Sequence, residues 1–396
     1  MTNKKLKVGN VPNLRFPGFI EEWQTKKLGE IATFSKGKGI SKSDIEENGI
    51  TECIRYGELY THYTEVINEI KSKTNVNTST LVLSEENDVI IPASGETTID
   101  IATASCVLKS GIALGGDLNI IKTANNGVFL SYYLNSKKKM EIANLAQGIS
   151  VVHLYSSQLA SLTLSLPKLN EQDRISSFLV LLDERIHTQN KIIKELKLLK
   201  NTLSKKIFSG ELKFKDEFGN NFPKWETKEV GEIFKMTRGN VLAMNLLSSE
   251  WNKEKPYPVY SSQTKNKGLA GYHNDFLFED AITWTTDGAN AGDVNYRVGE
   301  FYCTNVCGVL LNREGYANAC VSELINSVSK NYVSYVGNPK LMNGIMGKIK
   351  IPFPSLREQH KIANLLSSID QKIDVETHLL QELERQKQYF LANLFI

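Results

Sequence analysis

Two long stretches of this chain carry apolar residues at alternating spacings of four and three, the period of an amphipathic helix. They begin at Pro167-Lys168-Leu169-Asn170-Glu171-Gln172 and at Pro354-Ser355-Leu356-Arg357-Glu358-Gln359, an offset of 354 − 167 = 187 that holds to Phe208 and Phe395. The spaced positions are Ile175, Leu179, Leu182, Ile186, Gln189, Ile193, Leu196, Lys200, Leu203 and Ile207, then Ile362, Leu366, Ile369, Ile373, Glu376, Leu380, Leu383, Lys387, Phe390 and Leu394. Each stretch predicts one long helix with a proline just outside its first turn.

A seven-residue repeat over four or more heptads is typical of a coiled coil. Its polar interruptions, Gln189 and Lys200 in one copy and Glu376 and Lys387 in the other, fall at equivalent positions. Polar residues in such a seam lower stability and serve to fix register. We therefore interpret the stretches as a paired coiled coil; the alternative is two amphipathic helices on separate cores.

A second repeat precedes each variable region. The segment Trp23 to Ile31 matches Trp225 to Ile233, an offset of 225 − 23 = 202, and both end in Gly-Glu-Ile. The chain is thus a duplicated unit of linker, globular insert and long helix. We expect domains at 1–166 (with an N-terminal linker) and 211–353 (with a linker at 211–224), and helices at 167–210 and 354–396.

Both inserts mix strand and helix patterns, which predicts two α/β (α+β) domains of one type. Strands are expected at 31–35, 80–83, 88–92 and 112–121, and at 258–260, 281–285, 294–298 and 308–311. One helix is expected in each insert, at 127–146 and 317–336. Each insert ends on an alternating strand, Leu162-Leu164-Leu166 or Ile349-Ile351-Phe353.

Composition narrows the class of protein. The 396 residues are 41% hydrophobic and 23% charged, as in ordinary folded domains. No apolar run approaches the roughly 20 residues of a membrane helix. Five scattered cysteines indicate a reducing cytoplasm, and Cys303 and Cys307 are expected to be buried thiols. With a net charge of only +3, any nucleic-acid contact must come from local loops.

Catalytic signals are weak. Lys36-Gly37-Lys38-Gly39 lacks the spacing of a phosphate-binding loop, and neither a Gly-x-Ser-x-Gly elbow nor a His-Glu-x-x-His pair occurs. Glu69-Ile70-Lys71 has the form of a nuclease half-site, but that tripeptide is common by chance. His187 and His378 are expected to be exposed on the long helices. The sequence therefore predicts a binding protein without a catalytic centre or a metal site.

Both inserts contain loops in which basic, amide, hydroxyl and aromatic residues alternate. Arg and Lys suit guanine edges, Asn and Gln suit adenine, and Ser and Thr suit phosphate. The candidate DNA-binding residues are Lys36, Lys38, Ser41, Lys42, Arg55, Tyr56, Ser94, Glu96, Thr97, Arg238, Asn240, Ser261, Ser262, Gln263, Lys265, Asn266, Lys267, Thr285, Thr286 and Asp287. Ordinary solvated turns are the alternative, but matching places after Gly-Glu-Ile favour a shared binding face.

In these features the chain resembles the specificity subunit of type I restriction–modification systems. The resemblance rests on Phe16-Pro17 and Phe222-Pro223, the two Trp-x-x-x-x-(Leu/Val)-Gly-Glu-Ile segments and the two Pro-x-Leu-x-Glu-Gln helices. It implies two target-recognition domains, each reading one half of a bipartite double-stranded DNA target, joined by an antiparallel coiled coil with pseudo-two-fold symmetry. It also implies a cytoplasmic complex, away from membranes, with two methyltransferase subunits and with restriction/translocase subunits. S-adenosylmethionine, ATP and Mg would bind those partners and not this chain.

A helix over 170–208 would be roughly 57 Å long, which can separate two recognition modules by at least one DNA turn of about 34 Å. The outer helix residues Arg185, Lys191, Lys194 and Lys197 and the linker 14–23 are candidates for partner contacts. We expect that linker to pack near the end of the second helix. Two other hypotheses remain: a self-sufficient DNA modification enzyme, and an adaptor that binds only proteins.

Overall fold

The computed structural model describes residues 9–262 and 266–396, which form two compact units. The first unit comprises the described residues up to Asn190 together with Leu379–Ile396, and the second lies within Lys191–His378. Each unit contains one α/β domain, and each long helix is divided between the two units.

In the first unit the expected strand at 88–92 is confirmed, and the strand at 31–35 is shifted by one residue because 28–31 form a helical turn. The strands are β1 (Gln24–Lys27), β2 (Ala32–Lys36), β3 (Thr51–Ile54), β4 (Val66–Ile67), β5 (Ser72–Thr74), β6 (Val82–Leu83), β7 (Asp88–Pro92), β8 (Ser94–Gly95), β9 (Ser105–Val107), β10 (Ala113–Leu114), β11 (Leu118–Thr123), β12 (Val152–His153) and β13 (Thr163–Leu166). The helices are α1 (Leu28–Ile31), α2 (Thr98–Ile101), α3 (Gly127–Tyr133), α4 (Lys139–Leu145), α5 (Ser156–Ala160) and the first part of α6 (Leu169–Phe208).

The main sheet of the first unit has the order β2-β11-β7-β9-β4. Strand β7 is buried on both faces, because Val89 and Ile91 pack in the cluster that includes Phe129 of α3 while Ile90 packs in the cluster of β3 and β10. The expectation of a single strand at 112–121 was wrong. The chain turns at 115–117, where Asp117 has φ +59°, and this turn separates β10 from β11.

The second unit repeats this order in a six-stranded sheet, β15-β20-β18-β19-β16-β17. The strands are β14 (Glu226–Glu229), β15 (Lys235–Arg238), β16 (Tyr257–Tyr260), β17 (Leu269–His273), β18 (Phe278–Thr285), β19 (Val294–Cys303), β20 (Cys307–Leu311) and β21 (Lys350–Phe353). The helices are α7 (Val230–Ile233), α8 (Ala319–Ser329), α9 (Asn343–Met346) and the first part of α10 (Leu356–Asn393).

All four strands expected in the second insert are confirmed, but its helix is shorter than the predicted 317–336. Helix α8 ends at Ser329, whose Oγ donates to Gly292 O at 2.6 Å, and one 3-10 turn follows. The apolar period stops at the buried Val333, after which the backbone becomes extended and its residues face solvent. The helix expected at 127–146 is present as α3 and α4, joined by a π turn at Leu134–Lys138.

The two long helices run antiparallel within each unit. In the first unit Phe178 packs on Phe390 with ring centroids 4.8 Å apart, and Asp183 then binds Lys387, so the numbers rise along one helix and fall along the other. In the second unit Ile207 of α6 packs in one cluster with Ile362 of α10. The pairing predicted from the heptads is confirmed, since each apolar seam lies against the other helix and its domain.

The glutamine of the repeated Pro-x-Leu-x-Glu-Gln motif has the same structural role in both units. Gln172 and Gln359 are buried, and each amide donates at 2.9 Å to the carbonyl of the proline before its helix. Their oxygens accept from Asn126 N (3.0 Å) and Asn318 Nδ2 (2.8 Å), and both asparagines cap the main helix of the domain. The motif therefore fastens each long helix to its domain.

The seam lysines also join helix and domain. Each binds one carboxylate of the opposite helix and one carboxylate of the adjacent domain. The partners are Asp183 (2.8 Å) and Glu65 (3.3 Å) for Lys387, and Asp370 (2.8 Å) and Glu323 for Lys200. The two lysine interruptions noticed in the sequence are thus the centres of two equivalent ion triads.

The linker before the first domain packs where we expected. Leu14 N donates to Asn393 O at 3.0 Å, and the ring of Phe16 meets that of Phe178 at 5.6 Å. The linker therefore lies against the last turn of α10.

Candidate nucleic-acid interface

Three segments of the first domain meet at one end of its main sheet. They are the loop after β2, the loop after β3 and the turn at 115–117. Their backbone hydrogen bonds are Gly37 N to Leu118 O (3.0 Å), Lys38 N to Leu114 O (3.0 Å) and Gly115 N to Ile54 O (2.9 Å). Residues 93–97 join them, because Ala93 N donates to Asp117 O at 2.7 Å. We call residues 36–39, 54–56, 93–97 and 115–117 the first loop cluster.

The second domain builds the same arrangement from different residues. Its bonds are Gly239 N to Cys307 O (3.1 Å), Asn240 N to Cys303 O (3.1 Å) and Thr304 N to Tyr260 O (2.9 Å). We call residues 238–240, 260–262, 285–287 and 303–306 the second loop cluster. Because these three bonds match those of the first cluster, Lys36 is equivalent to Arg238, and Arg55 is equivalent to Ser261.

A glycine is required at the centre of both clusters. A Cβ on Gly37 would lie 2.0 Å from Gly115 O, and a Cβ on Gly239 would lie 2.1 Å from Cys303 O. Because those atoms belong to backbone, a side chain at either glycine would force the segments apart. The two candidate loops identified by sequence are therefore close-packed turns at the same place on one scaffold.

A further segment, which the sequence reasoning missed, completes each cluster. Leu154 N donates to Ala93 O at 2.9 Å, and Leu341 N donates to Thr286 O at 2.9 Å. His153 is thereby paired with Ser94, and Lys340 with Asp287. The offset from His153 to Lys340 is 340 − 153 = 187, so the long-helix repeat already extends into these segments.

The two domains support this further segment by different means. Asn119 Nδ2 donates to Leu154 O at 2.9 Å, whereas Trp284 Nε1 donates to Leu341 O at 3.0 Å. The residue of the second domain that corresponds to Asn119 is Gly308, where a Cβ would lie 2.2 Å from the Trp284 ring. The hydrogen bond that Asn119 of β11 makes in the first domain is therefore made in the second domain by the larger Trp284 side chain, which lies on β18, the strand paired with β20.

In the first cluster most candidate side chains face solvent. Lys36, Lys38, Ser41, Lys42, Glu96 and Thr97 are exposed, Arg55 and Tyr56 are half-buried, and Ser94 is buried. Some have structural contacts: Arg55 binds Glu58 at 3.1 Å, and Thr97 Oγ1 caps α2. Lys36 Nζ lies 5.9 Å from the ring centre of the exposed Tyr155.

In the second cluster the candidates are more deeply set. Asn240, Asn266 and Lys267 are exposed, Arg238, Ser261, Ser262 and Asp287 are half-buried, and Thr285 and Thr286 are buried. Gln263 and Lys265 lie outside the described residues. Arg238 Nε donates to Asn343 Oδ1 at 3.3 Å, and Asp287 faces Lys340 at 3.9 Å. Met342, in contact with Arg238, corresponds to Tyr155 at the offset of 187.

A buried cation lies beneath the second cluster. Arg297 stacks on the Tyr260 ring at 3.6 Å and donates to Thr283 Oγ1 (3.0 Å) and Lys267 O (2.7 Å). Burial lowers the pKa of this guanidinium, yet within 9–262 and 266–396 no carboxylate pairs with it. The ring contact and the two hydrogen bonds hold the guanidinium in place beneath the cluster.

The sequence profile described as the type I restriction modification DNA specificity domain matches residues 20–198 and again residues 223–385. The chain belongs to this family. The resemblance drawn from the sequence is confirmed, and the two matches coincide with the two repeats of linker, domain and helix.

Individual relatives agree with that assignment. A putative type I specificity subunit of Mycoplasma pneumoniae is 33% identical over 177 residues, 43% of this chain and 56% of that relative, so the match spans about half of the relative's length. A putative specificity subunit of the MjaX type I restriction enzyme of Methanocaldococcus jannaschii is 27% identical over 299 residues, 69% of each chain. The crystal structure of the type I S subunit from M. genitalium shares the fold, with a TM-score of 0.71 at 20% identity over 98% of this chain and 99% of that one.

Members of this specificity-subunit family carry two target-recognition domains, and catalysis resides on the modification and restriction subunits. The family therefore favours the DNA-recognition hypothesis over a self-sufficient modification enzyme or a protein-only adaptor. The family binds no cofactor. Among the residues that the structure describes, no group of three His, Cys, Asp or Glu could hold a metal ion. In the same part of the specificity subunit, no helix is long and apolar enough to cross a membrane.

The cysteines and helix histidines are placed as expected. Cys303 and Cys307 are buried, and burial raises the pKa of Cys307 to about 11, so its thiol stays protonated and unreactive at neutral pH. His187 and His378 are both exposed.

Proposed function

We propose that this specificity subunit binds double-stranded DNA through its two loop clusters, each reading one half of a bipartite target. The observation that carries the proposal is the doubled backbone of the clusters, in which matching hydrogen bonds hold unlike side chains. A protein that recognises two different DNA sequences with duplicated domains needs one constant backbone that carries different hydrogen-bond donors and acceptors.

Five matched positions differ in chemistry and are the proposed sites of base discrimination. The pairs are Lys36 and Arg238, Arg55 and Ser261, Ser94 and Asp287, His153 and Lys340, and Tyr155 and Met342. The exposed lysines beside them, Lys38 and Lys42 in one domain and Lys267 in the other, supply charge for phosphate contacts.

Membership of the family supports the remaining assignments of the proposal. The paired helices set the distance between half-sites and, with Arg185, Lys191, Lys194 and Lys197, dock two methyltransferase subunits. Those subunits bind S-adenosylmethionine, and the restriction/translocase subunits bind ATP and Mg, in a cytoplasmic complex. The proposed exchangeable domains are 1–166 and 211–353, with helices at 167–210 and 354–396.

The first experiment maps methylated adenines in cells that express this subunit with its methyltransferase partner. Replacing 225–353 by the corresponding segment of another family member should change one half of the methylated sequence and leave the other half unchanged. A change in both halves, or in neither, would contradict the assignment of one half-site to each domain.

A second experiment measures affinity of the purified complex for its methylation target as a function of salt. The double change Lys38→Ala and Lys42→Ala should reduce the slope of log K against log [salt] by about 2, because each lost phosphate contact contributes roughly 0.9. The matched control is Lys26→Ala with Lys27→Ala, two exposed lysines of β1 that precede β2 instead of following it. Equal slopes for the two variants would place the DNA elsewhere.

A further inference from the structure

The hairpins that complete the two loop clusters end in exposed apolar residues at the same position. Gln147 and His153 exchange backbone hydrogen bonds of 2.9 and 2.7 Å, and Ser334 and Lys340 exchange two of 2.9 Å. Each bonded pair closes a five-residue loop, 148–152 or 335–339. Ile149 in one loop is 103% exposed, and its equivalent at the offset of 187, Val336, is 94% exposed.

Each loop contains usual turn residues, Gly148 and Ser150 in one and Gly337 and Asn338 in the other, but also exposed apolar residues. Loop tips favour Gly, Asn, Asp and Ser, because those residues suit turn geometry and water. Here each tip presents a second apolar residue beside the first, Val151 at 50% exposure and Tyr335 at 67%. Two domains that have diverged at their polar reading positions have both kept a β-branched residue at full exposure.

The position of the two hairpins indicates that bound DNA covers their tips. β12 of the first hairpin pairs with β8 through Val152–Gly95 and His153–Ser94, so its tip projects from a strand that belongs to the first loop cluster. In the second domain Gly288 N donates to Pro339 O at 3.0 Å, beside the Asp287–Lys340 pair. Both tips are therefore continuous with the proposed DNA-binding surface.

We propose that Ile149 and Val336 enter a groove of the bound DNA and bury their side chains against its deoxyribose carbons. The proposal rests on the DNA-binding function and adds a contact of a different kind. A β-branched side chain has few rotamers to lose, so its burial is favourable at little entropic cost. Since both tips are apolar while the half-sites differ, this contact carries affinity and no base discrimination.

The test compares the purified complex of this subunit and its methyltransferase partner with the same complex carrying Ile149→Ser and Val336→Ser. Because both residues are fully exposed, the changes leave the folded core intact. We expect the double variant to bind its mapped target at least tenfold more weakly. The methylated half-site sequences and the salt slope should stay unchanged, because no phosphate contact is removed.

Two controls accompany it. Ile149→Val with Val336→Ile should retain the affinity of the parent, and Ile50→Ser, a 90% exposed isoleucine at the opposite end of β3 from Arg55, should have no effect. An affinity within twofold of the parent for the double serine variant would overturn the proposal. So would a reduced salt slope, an equal loss in the Ile50 control, or loss of the methyltransferase subunit by native mass spectrometry, which would make the tips protein contacts.

The same experiment separates this inference from the proposed function. If the parent complex methylates DNA without a defined bipartite sequence, the DNA-reading function itself fails. If the parent complex has a defined target and the tip variants bind that target as tightly as the parent does, the DNA-reading function stands. In that case Ile149 and Val336 do not contact the DNA.

Discussion

Replacing Lys387 by Met should unfold the first unit far more readily than the loss of an exposed surface ion pair would. Lys387 lies between Asp183 at 2.8 Å and Glu65 at 3.3 Å, with side-chain exposures of 16%, 26% and 16%. Tyr132 also donates to Asp183 at 2.5 Å. Methionine would leave two poorly hydrated carboxylates without a cation, a defect that typically costs about 3–5 kcal/mol.

The assay is hydrogen exchange resolved by peptide, because it reports the two units separately. A loss of about 3–5 kcal/mol corresponds to roughly 100- to 4,000-fold faster exchange of the core peptides of α3, at 1.4 kcal/mol per factor of ten. Peptides of α8 in the second unit should keep their protection. The matched control is Arg385→Met, a change of the same charge on the same helix at an exposed ion pair with Glu382, which should leave exchange unchanged.

Restoring charge balance provides the internal check. Adding Asp183→Asn and Glu65→Gln to Lys387→Met removes both unpaired charges and should recover most of the protection. If Lys387→Met alone changes α3 exchange by less than about fivefold, equivalent to roughly 1 kcal/mol, the triad is not a buried ion cluster and the reasoning is refuted.

The pH dependence has a definite sign. Burial lowers the pKa of Lys387, but the charges of Glu65 and Asp183 and their hydrogen bonds outweigh burial, so its net pKa lies above the ordinary 10.5. While its carboxylate partners are ionised, the protonated Lys387 therefore stabilises the first unit fully below pH 10.5, and this stabilisation is lost as pH rises through the raised pKa. The methionine variant should lack this alkaline loss.

Three further outcomes are expected. Gln172→Ala removes a buried amide that satisfies two backbone groups and should cost about 1–3 kcal/mol in urea unfolding of the first unit; an unchanged midpoint would contradict its fastening role. Gly308→Asn should destabilise the second unit by roughly 1–3 kcal/mol through the clash with Trp284, and adding Trp284→Ile, which copies the first domain, should recover most of that loss. Inserting four residues into both long helices should lengthen the spacer between methylated half-sites by about two base pairs, from roughly 6 Å of added helix, and an unaltered spacer in a folded protein would disprove the helices as the ruler.

The frame of the molecule was predictable from the sequence because it is local. Heptads, a proline before each helix and the Glu-Gln pair act over neighbouring turns, and they are repeated at one offset. The sequence even marked Lys200 and Lys387 as exceptions, although not their partners Glu323 and Glu65, which belong to the adjacent domains and not to the helices.

The loop clusters were predictable only in part, because strand order depends on pairs far apart in the chain. The bend of β18 and β19 is an example: Asp280 (φ +42°) and Gly299 (φ +70°) meet through a 2.8 Å bond that no local pattern announces. His153 and Lys340 were missed since their segments lack strand alternation. The offset of 187, followed upstream from Pro167 to Leu154, would have revealed them.

The division of the long helices also fixes an order of events during synthesis. The first unit needs Leu379–Ile396, and Phe395 from that segment stacks on Tyr133 at 5.4 Å and is 1% exposed. The 188 residues of Lys191–His378 must be synthesised before that ring can arrive, a wait of roughly 10–40 s at about 5–20 residues per second. Until then the apolar site that Phe395 occupies is exposed in the first domain. We therefore expect chaperones and proteases to act preferentially on nascent chains whose synthesis stops early.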